Sequence, residues 1–327
     1  MDISQDAYCT KIHPNEHMRS KKMRSIGIDG GGTHTKFVLY DEDKGVLDFK
    51  EINSPTNYHS VGIEKTKKVF LDGISSVGKS GFDIVGAGLS SVDTEKDLEV
   101  MKKIFKEIGV ENIIISNDGM AALWGATGGV GILMVAGTGS IVIGRNFDGT
   151  MARGGGWGYI FEEYCGGFWL VKQATMAILD HRDRVGSSTK LEMDLLRYFD
   201  LKTAEEIIGL YYPVTDVSKI SSAAKIVLDD AKDGDRIAVS IVKKGIKKSM
   251  KIIRSVKSRC KLEDDFTFSY TGGIFSSKYF FEEFKADFKR RFPQANFVNP
   301  KFPPEIGAAL MAIKAKKMKD IHEKLFE

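Results

Sequence analysis

The chain is 327 residues long, enough for two domains of ordinary size, and its 42% hydrophobic and 28% charged residues exclude a globally disordered chain. A formal charge of +4 over this length implies neither a nucleic-acid nor a membrane partner, and no apolar run approaches the ~20 residues of a membrane span. Three scattered cysteines (Cys9, Cys165, Cys260) exclude a disulfide framework or a structural zinc site, and with no secretory signal at the start they fit a reducing cytoplasm.

Residues 1–22 are polar and aperiodic and are predicted to form a flexible tail. Residues 25–29 read as a strand running into Gly30-Gly31-Gly32-Thr33. Residues 36–40 read as its hairpin partner, and 46–51 as a third strand after a turn over 41–45. This antiparallel opening differs from the strand–turn–helix start of a dinucleotide-binding unit. A helix is predicted over 61–72, a strand over 83–89, a helix over 94–108, a strand over 112–116 ending in Asn117-Asp118, and a helix over 119–124. Strand 131–136 enters Gly137-Thr138-Gly139-Ser140 and returns as 141–144. The strand–glycine turn–strand device thus recurs after about a hundred residues, a weak internal repeat that suggests two related halves. Residues 168–260 read as mostly helical with a break at Tyr212-Pro213. Within them the basic stretch 242–257 surrounds an Ile/Val/Met stripe, a solvated helix face over a core stripe. A strand over 266–270 leads into Thr271-Gly272-Gly273, a last strand lies near 296–298, and a helix runs from Glu305 to the end. Met120 and Met134 read as core, and His34 as an outward-facing residue.

Gly73-Ile74-Ser75-Ser76-Val77-Gly78-Lys79-Ser80 satisfies the P-loop pattern, but a helix precedes it and a strand follows. Phosphate binding by that device needs the reverse order, so the segment reads as a helix–strand connection. The other glycine clusters are better placed. Around Gly31 and Gly32 the backbone can approach a phosphate closely, amides and the Thr33 hydroxyl can donate to it, and Asp29 at the strand end can hold a hydrated Mg²⁺. Gly137, Thr138, Gly139 and Ser140 form a second cradle of the same construction, and Gly272-Gly273 offers a flat approach for a nucleotide's ribose and base.

In order and spacing these motifs resemble the sugar kinase/Hsp70/actin superfamily and, within it, the N-acetylglucosamine kinase and BadF/BadG/BcrA/BcrD ATPase family, over residues 25–312. The quoted loops match its two phosphate loops and its adenosine motif. Asn117-Asp118 through Ala122 matches its catalytic-aspartate block, Gly155-Gly156-Trp157-Gly158 its glycine–tryptophan signature, and Ile306-Gly307-Ala308-Ala309 its closing helix. The resemblance implies an α/β fold of two ribonuclease-H-like (actin-like ATPase) domains flanking a nucleotide cleft. These would be residues 23–117, joined by the C-terminal helix 305–327, and residues 118–304. It implies ATP and Mg²⁺ as cofactors and Asp118 as general base, a task a carboxylate at a strand end can perform. It further implies a sugar site drawing on Asn57, Ser90, Asn117, Trp157, Gly158 and Glu163, and a cytoplasmic kinase of a small sugar, N-acetylglucosamine being the first expectation. Related kinases are often homodimers.

The chain departs from the family at Glu162-Glu163-Tyr164-Cys165-Gly166, where the pattern has Gly-Asp-Glu-Gly-Ser. Glu163 aligns with the sugar-binding Asp. A carboxylate one methylene longer should displace a sugar by about an ångström, enough to change specificity. Another hexose, an amino sugar or a sugar acid such as 2-keto-3-deoxygluconate is therefore an alternative, the last needing Arg153 or Lys172 to offset the carboxylates. Two other classes share the loops. One is the activator ATPase of radical dehydratases, which holds an iron–sulfur cluster between subunits with two cysteines from each, whereas only Cys165 lies near that region here. The other is a non-catalytic nucleotide-dependent regulator, against which the retained Asp118 argues.

Overall fold

The computed structural model describes residues 22–161, 163–212 and 216–325; the expected tail, apart from Lys22, and Glu162 lie outside the described residues. The first sheet is built from β1 (Arg24–Gly30), β2 (Thr35–Asp41), β3 (Gly45–Ile52), β4 (Ile84–Leu89) and β5 (Ile113–Ser116), with α1 (Tyr58–Val61), α2 (Ile63–Val77) and α3 (Glu95–Glu107) between them. Its order is β3-β2-β1-β4-β5, antiparallel among the first three strands and parallel across β1, β4 and β5. After α4 (Asp118–Thr127) come β6 (Gly131–Ala136), β7 (Ser140–Arg145) and β8 (Met151–Gly155). The helices α5 (Gly167–Arg182), α6 (Leu191–Phe199), α7 (Val217–Ser222), α8 (Ala224–Lys232) and α9 (Arg236–Arg259) follow. The chain closes with β9 (Thr267–Thr271), α10 (Lys278–Arg291), β10 (Asn296–Phe297) and α11 (Pro304–Leu325). The second sheet runs β10-β9-β6-β7-β8. Read from its other edge, it repeats the first sheet's topology strand for strand, which is the physical content of the recurring glycine hairpin.

Alternation along β1 explains the layers. Ile26 and Ile28 point to one face, where they join Phe37, Leu39, Phe70 and Phe105 in a buried cluster under α2 and α3. Phe70 and Phe105 stack at 4.6 Å between ring centroids. Gly27 turns to the opposite face, against α11. The second sheet packs Phe268 against Phe280, Phe284 and Phe288 of α10 and shares its core with Trp169 of α5 and the Ile241–Ile246–Ile253 stripe of α9. A smaller cluster of Met120, Leu123, Leu133, Ile143 and Met311 joins α4 to β6, β7 and α11. Met120 and Met134 are buried, as expected.

Three features differ from the sequence reading. The helix expected over 61–72 runs on to Val77 and ends in a 3₁₀ turn at Gly78–Ser80, so the P-loop-like segment is a helix end, with Gly73 backing onto the Phe37 ring. Strand β8 was not anticipated, because Met151-Ala152-Arg153-Gly154-Gly155 contains no β-branched residue. Helix α10 was not anticipated either, although phenylalanines at 280, 284 and 288 carry the i, i+4 spacing of a buried stripe. Among the described residues no helix is long and apolar enough to cross a membrane.

Candidate active site

The two phosphate-loop candidates, the Gly272-Gly273 turn and both strand-end aspartates lie at the carboxyl edges of parallel strands, where open α/β sheets bind ligands. In the first sheet β1 ends in Asp29-Gly30. The turn that follows is closed by Gly31 N–H donating to His34 C=O at 3.1 Å, which leaves Gly32 and Thr33 exposed at its tip. His34 faces outward beside Glu51, as expected, though from the turn. The neighbouring strand β4 is in register with β1, Asp29 opposite Gly88. A Cβ on Gly88 would lie 3.4 Å from the Cα of Asp118. The missing side chain lets the start of α4 settle over β4, so the two aspartates flank one bare backbone position.

Asp118 does not cap its helix. Asn117 does, its Oδ1 accepting the Met120 N–H at 2.9 Å, while Asp118 stands at the first helical position and accepts the Gly119 N–H at 2.7 Å. Its carboxylate keeps a solvent-open face, yet the protein crowded around it raises its pKa above the usual carboxylate range, with a smaller push from Asp93. Asp29 is pushed up further, to about 7, first by burial and then by Glu305 and Asp118, with Lys36 offsetting part of the effect. This sign has a consequence for stability. The folded chain binds the Asp29 proton more tightly than the unfolded chain, so this group's contribution to stability declines as pH rises from the usual carboxylate range through 7. In metal-free protein, Asp29→Asn is therefore expected to raise Tm at pH 8 and to change it little at pH 4, in thermal unfolding followed by circular dichroism.

Asn57 caps α1 through its side-chain oxygen, accepting from His59 N–H at 3.1 Å. The turn is fastened to α3 because Asp97 accepts hydrogen bonds from the Tyr58 hydroxyl (2.5 Å), His59 Nε2 (2.9 Å) and the Thr94 hydroxyl (2.7 Å). These bonds hold the Asp97 carboxyl far below its ordinary value and push Tyr58 up to about 12. Ser90 donates its backbone N–H to Gly30 C=O at 2.9 Å, and its buried Oγ, like that of Ser91, has no hydrogen-bond partner. Across from them Trp157 is 63% exposed and stacks under the Arg153 guanidinium at 4.5 Å. Arg153 reaches Asp93, the neighbour of Asp118, at 3.7 Å. That ion pair links the edge of the second sheet to the end of β4.

The second loop turns its carbonyls inward. Gly137 and Thr138 C=O accept the N–H groups of Gly167 and Phe168 at the start of α5, at 2.8 and 3.0 Å. Because the peptide groups are trans, the N–H groups of Thr138 and Gly139 point the opposite way, an amide pair oriented for an anion. Ser140 Oγ is committed to Tyr164 C=O at 2.7 Å. Glu163 is buried: one carboxylate oxygen accepts the Gly158 N–H at 2.7 Å and the other packs where a side chain on Gly139 would stand. Glu163 therefore braces the Trp157-Gly158 turn against the second loop. Gly272 has φ of 104° and crosses Ala136 so closely that no side chain fits. Beside it a cleft of about 1050 Å³ opens, its wall including Gly137, Thr138, Gly273, Ile274, Lys225 and Tyr279. Lys225 on α8 and Tyr279 on α10 carry no motif and were not anticipated. The candidate residues thus fall into a carboxylate-and-hydroxyl group on the first sheet and an amide-lined cleft on the second, bridged by the Arg153–Asp93 ion pair. Cys165 and Cys260 are free and buried, away from any surface at which a second subunit could share a ligand; Cys9 lies outside the described residues.

A model of the BadF/BadG/BcrA/BcrD ATPase family matches residues 26–312. Among curated proteins the chain is 31% identical over 314 residues to the N-acetyl-D-glucosamine kinase of Dictyostelium discoideum, with 89% of this chain and 98% of that protein covered. It is 28% identical over 301 residues to the N-acetylmuramic acid/N-acetylglucosamine kinase of Clostridium acetobutylicum, with 88% and 97% covered. Among solved structures it superposes on a candidate N-acetylglucosamine kinase from Chromobacterium violaceum with a TM-score of 0.69 at 23% identity, covering 89% of this chain and 99% of that one. It also superposes on a glucokinase from Streptomyces griseus, with a TM-score of 0.54 at 17% identity over 90% of this chain and 99% of that one. At these identities the structural likenesses establish the two-sheet fold.

Proposed function

Because the chain belongs to the BadF/BadG/BcrA/BcrD ATPase family, we propose that it is an ATP-dependent sugar kinase acting on an N-acetylglucosamine-like hexose. The observation that carries the reading is the placement of Asp118 beside Asp29 at one sheet edge, with the Thr138 and Gly139 amides presented from the other. In this reading Asp118 takes the proton of the sugar hydroxyl, and the freed oxygen bonds to the γ-phosphorus. The bond from that phosphorus to the β–γ bridging oxygen breaks, and ADP leaves. The protein crowded around Asp118 and the neighbouring Asp93 carboxylate make it a stronger base than a fully solvated aspartate, which favours the transfer. The amides of the second loop hold phosphate oxygens, and Gly272-Gly273 with the adjoining cleft receive the nucleoside. Asn57, Ser90, Trp157 and Glu163 border the sugar. Asp29 fits a divalent cation, since its surplus negative charge is offset by Lys36 alone among the cationic groups acting on it. Such an ion, when bound, neutralises charge developing on the phosphates.

The same proposal divides the chain into one lobe of residues 23–117 with 305–327 and another of residues 118–304, and places a homodimer in the cytoplasm. The buried cysteines favour it over an activator that holds a cluster between subunits. Purified protein is expected to release ADP from Mg²⁺–ATP in a sugar-dependent manner, with kcat/KM for N-acetylglucosamine at least about tenfold above glucose. The panel includes N-acetylmuramate, N-acetylmannosamine, glucosamine and 2-keto-3-deoxygluconate. ATP hydrolysis indifferent to every sugar would overturn the reading.

A further inference from the structure

The first turn of α11 lies directly on β1. A Cβ on Gly27 would overlap the backbone oxygen of Glu305, so helix and strand meet there with nothing between them. Asp29, two residues further along, projects from the same face of the strand toward the same end of the helix. Glu305 is 6% exposed, and its Oε2 has no hydrogen-bond partner. A carboxylate that merely complements a helix dipole does so from solvent, as Glu95 does in the first turn of α3. Burying a carboxylate oxygen without a partner is costly, and native structures rarely keep one unless something else completes it. A carboxylate oxygen accepts, so a cation or a hydrogen-bond donor would complete it. Among the described residues no cluster of three or more His, Cys, Asp or Glu side chains forms a closed metal cage. That fits an ion held by one or two carboxylates, water and phosphate oxygens.

We propose that Glu305 is a second protein anchor, with Asp29, for the divalent cation that accompanies the nucleotide; this rests on the kinase reading above. Neither the first-loop motif nor the closing-helix motif includes Glu305, which reaches the site only because α11 folds back over β1.

Mn²⁺ binding to the full-length protein, followed by electron paramagnetic resonance with and without ADP, tests the assignment in wild type, Glu305→Gln and Asp29→Asn. Glu305→Gln is expected to weaken Mn²⁺ binding in the presence of ADP by about tenfold, while calorimetric ADP affinity without metal stays within about twofold. Unchanged Mn²⁺ affinity in Glu305→Gln, with a clear loss in Asp29→Asn, would overturn the role of Glu305 and leave the kinase reading standing. A loss of sugar affinity in Glu305→Gln with Mn²⁺ unaffected would likewise overturn it, assigning the orphan oxygen to a substrate hydroxyl. If wild type binds no ADP under any condition, the kinase reading and this proposal fall together. Should Glu305→Gln not fold, Glu305→Asp, which keeps the charge but withdraws it by one methylene, is read in the same way, with about a threefold weakening expected and none overturning the assignment.

Discussion

Asp118→Asn is expected to lower sugar-dependent kcat by about 10²–10⁴-fold, the span associated with removing a general base, while ADP affinity stays within about twofold. The substitution is nearly isosteric. The hydrogen bond that Asp118 accepts from Gly119 N–H at 2.7 Å can be kept by the amide oxygen, and the cap of α4 belongs to Asn117, so the helix start survives. What the amide cannot do is take a proton. Steady-state ADP release and calorimetric titration of ADP, run on the same preparation, separate the two effects. Full activity in Asp118→Asn would remove Asp118 from the proton path. Asp93, which acts on Asp118 electrostatically and pairs with Arg153, would then be the carboxylate to replace next.

The residues facing the cleft were legible in the sequence where their chemistry is local. A strand running into Asp29-Gly30-Gly31-Gly32 announces itself, because an apolar strand followed by turn-forming residues marks where the strand ends. Asn117-Asp118 after an isoleucine-rich strand is legible for the same reason, although which of the two caps α4 was not. Glu305 was not legible as a cleft residue, since a glutamate in the first turn of a helix is what any well-capped helix shows. Its burial arises from α11 crossing a strand at the other end of the chain. Lys225 and Tyr279 were invisible because they sit on helices whose patterns report only their own core faces. Glu163 is an intermediate case. Its position was legible from the Gly155–Gly158 signature, but its brace between the Gly158 amide and the Gly139 backbone is a three-dimensional fact. The rule that emerges is physical: turns and strand ends advertise themselves through backbone requirements, whereas residues brought in by helix packing depend on contacts between distant segments.

The largest effect on stability is expected from Gly307→Ala, in the part of α11 that crosses α4. A Cβ at this position would overlap the Ala121 carbonyl oxygen and the Gly125 amide nitrogen, both backbone atoms that cannot rotate away. Alanine is otherwise the better helix former by about 1 kcal/mol, so propensity alone predicts a gain. Steric overlap should reverse that sign. Forcing two helices apart in a packed interface costs typically 1–3 kcal/mol and occasionally more, and the net loss expected here is about 2 kcal/mol, read as a fall of several degrees in Tm. Activity should fall further than stability accounts for. Helix α4 begins with Asp118 and the first turn of α11 holds Glu305; α11 lies on β1 at Gly27 and on β4 at Gly86, and α4 lies on β4 at Gly88, so the crossing at Gly307 sets the spacing of the carboxylates. A displacement of about an ångström at catalytic groups costs on the order of 10²-fold in rate. Gly307→Ala assayed well below its own Tm should therefore show reduced kcat with the nucleotide still bound. If kcat is normal while Tm drops, the crossing holds the fold together but does not position the site.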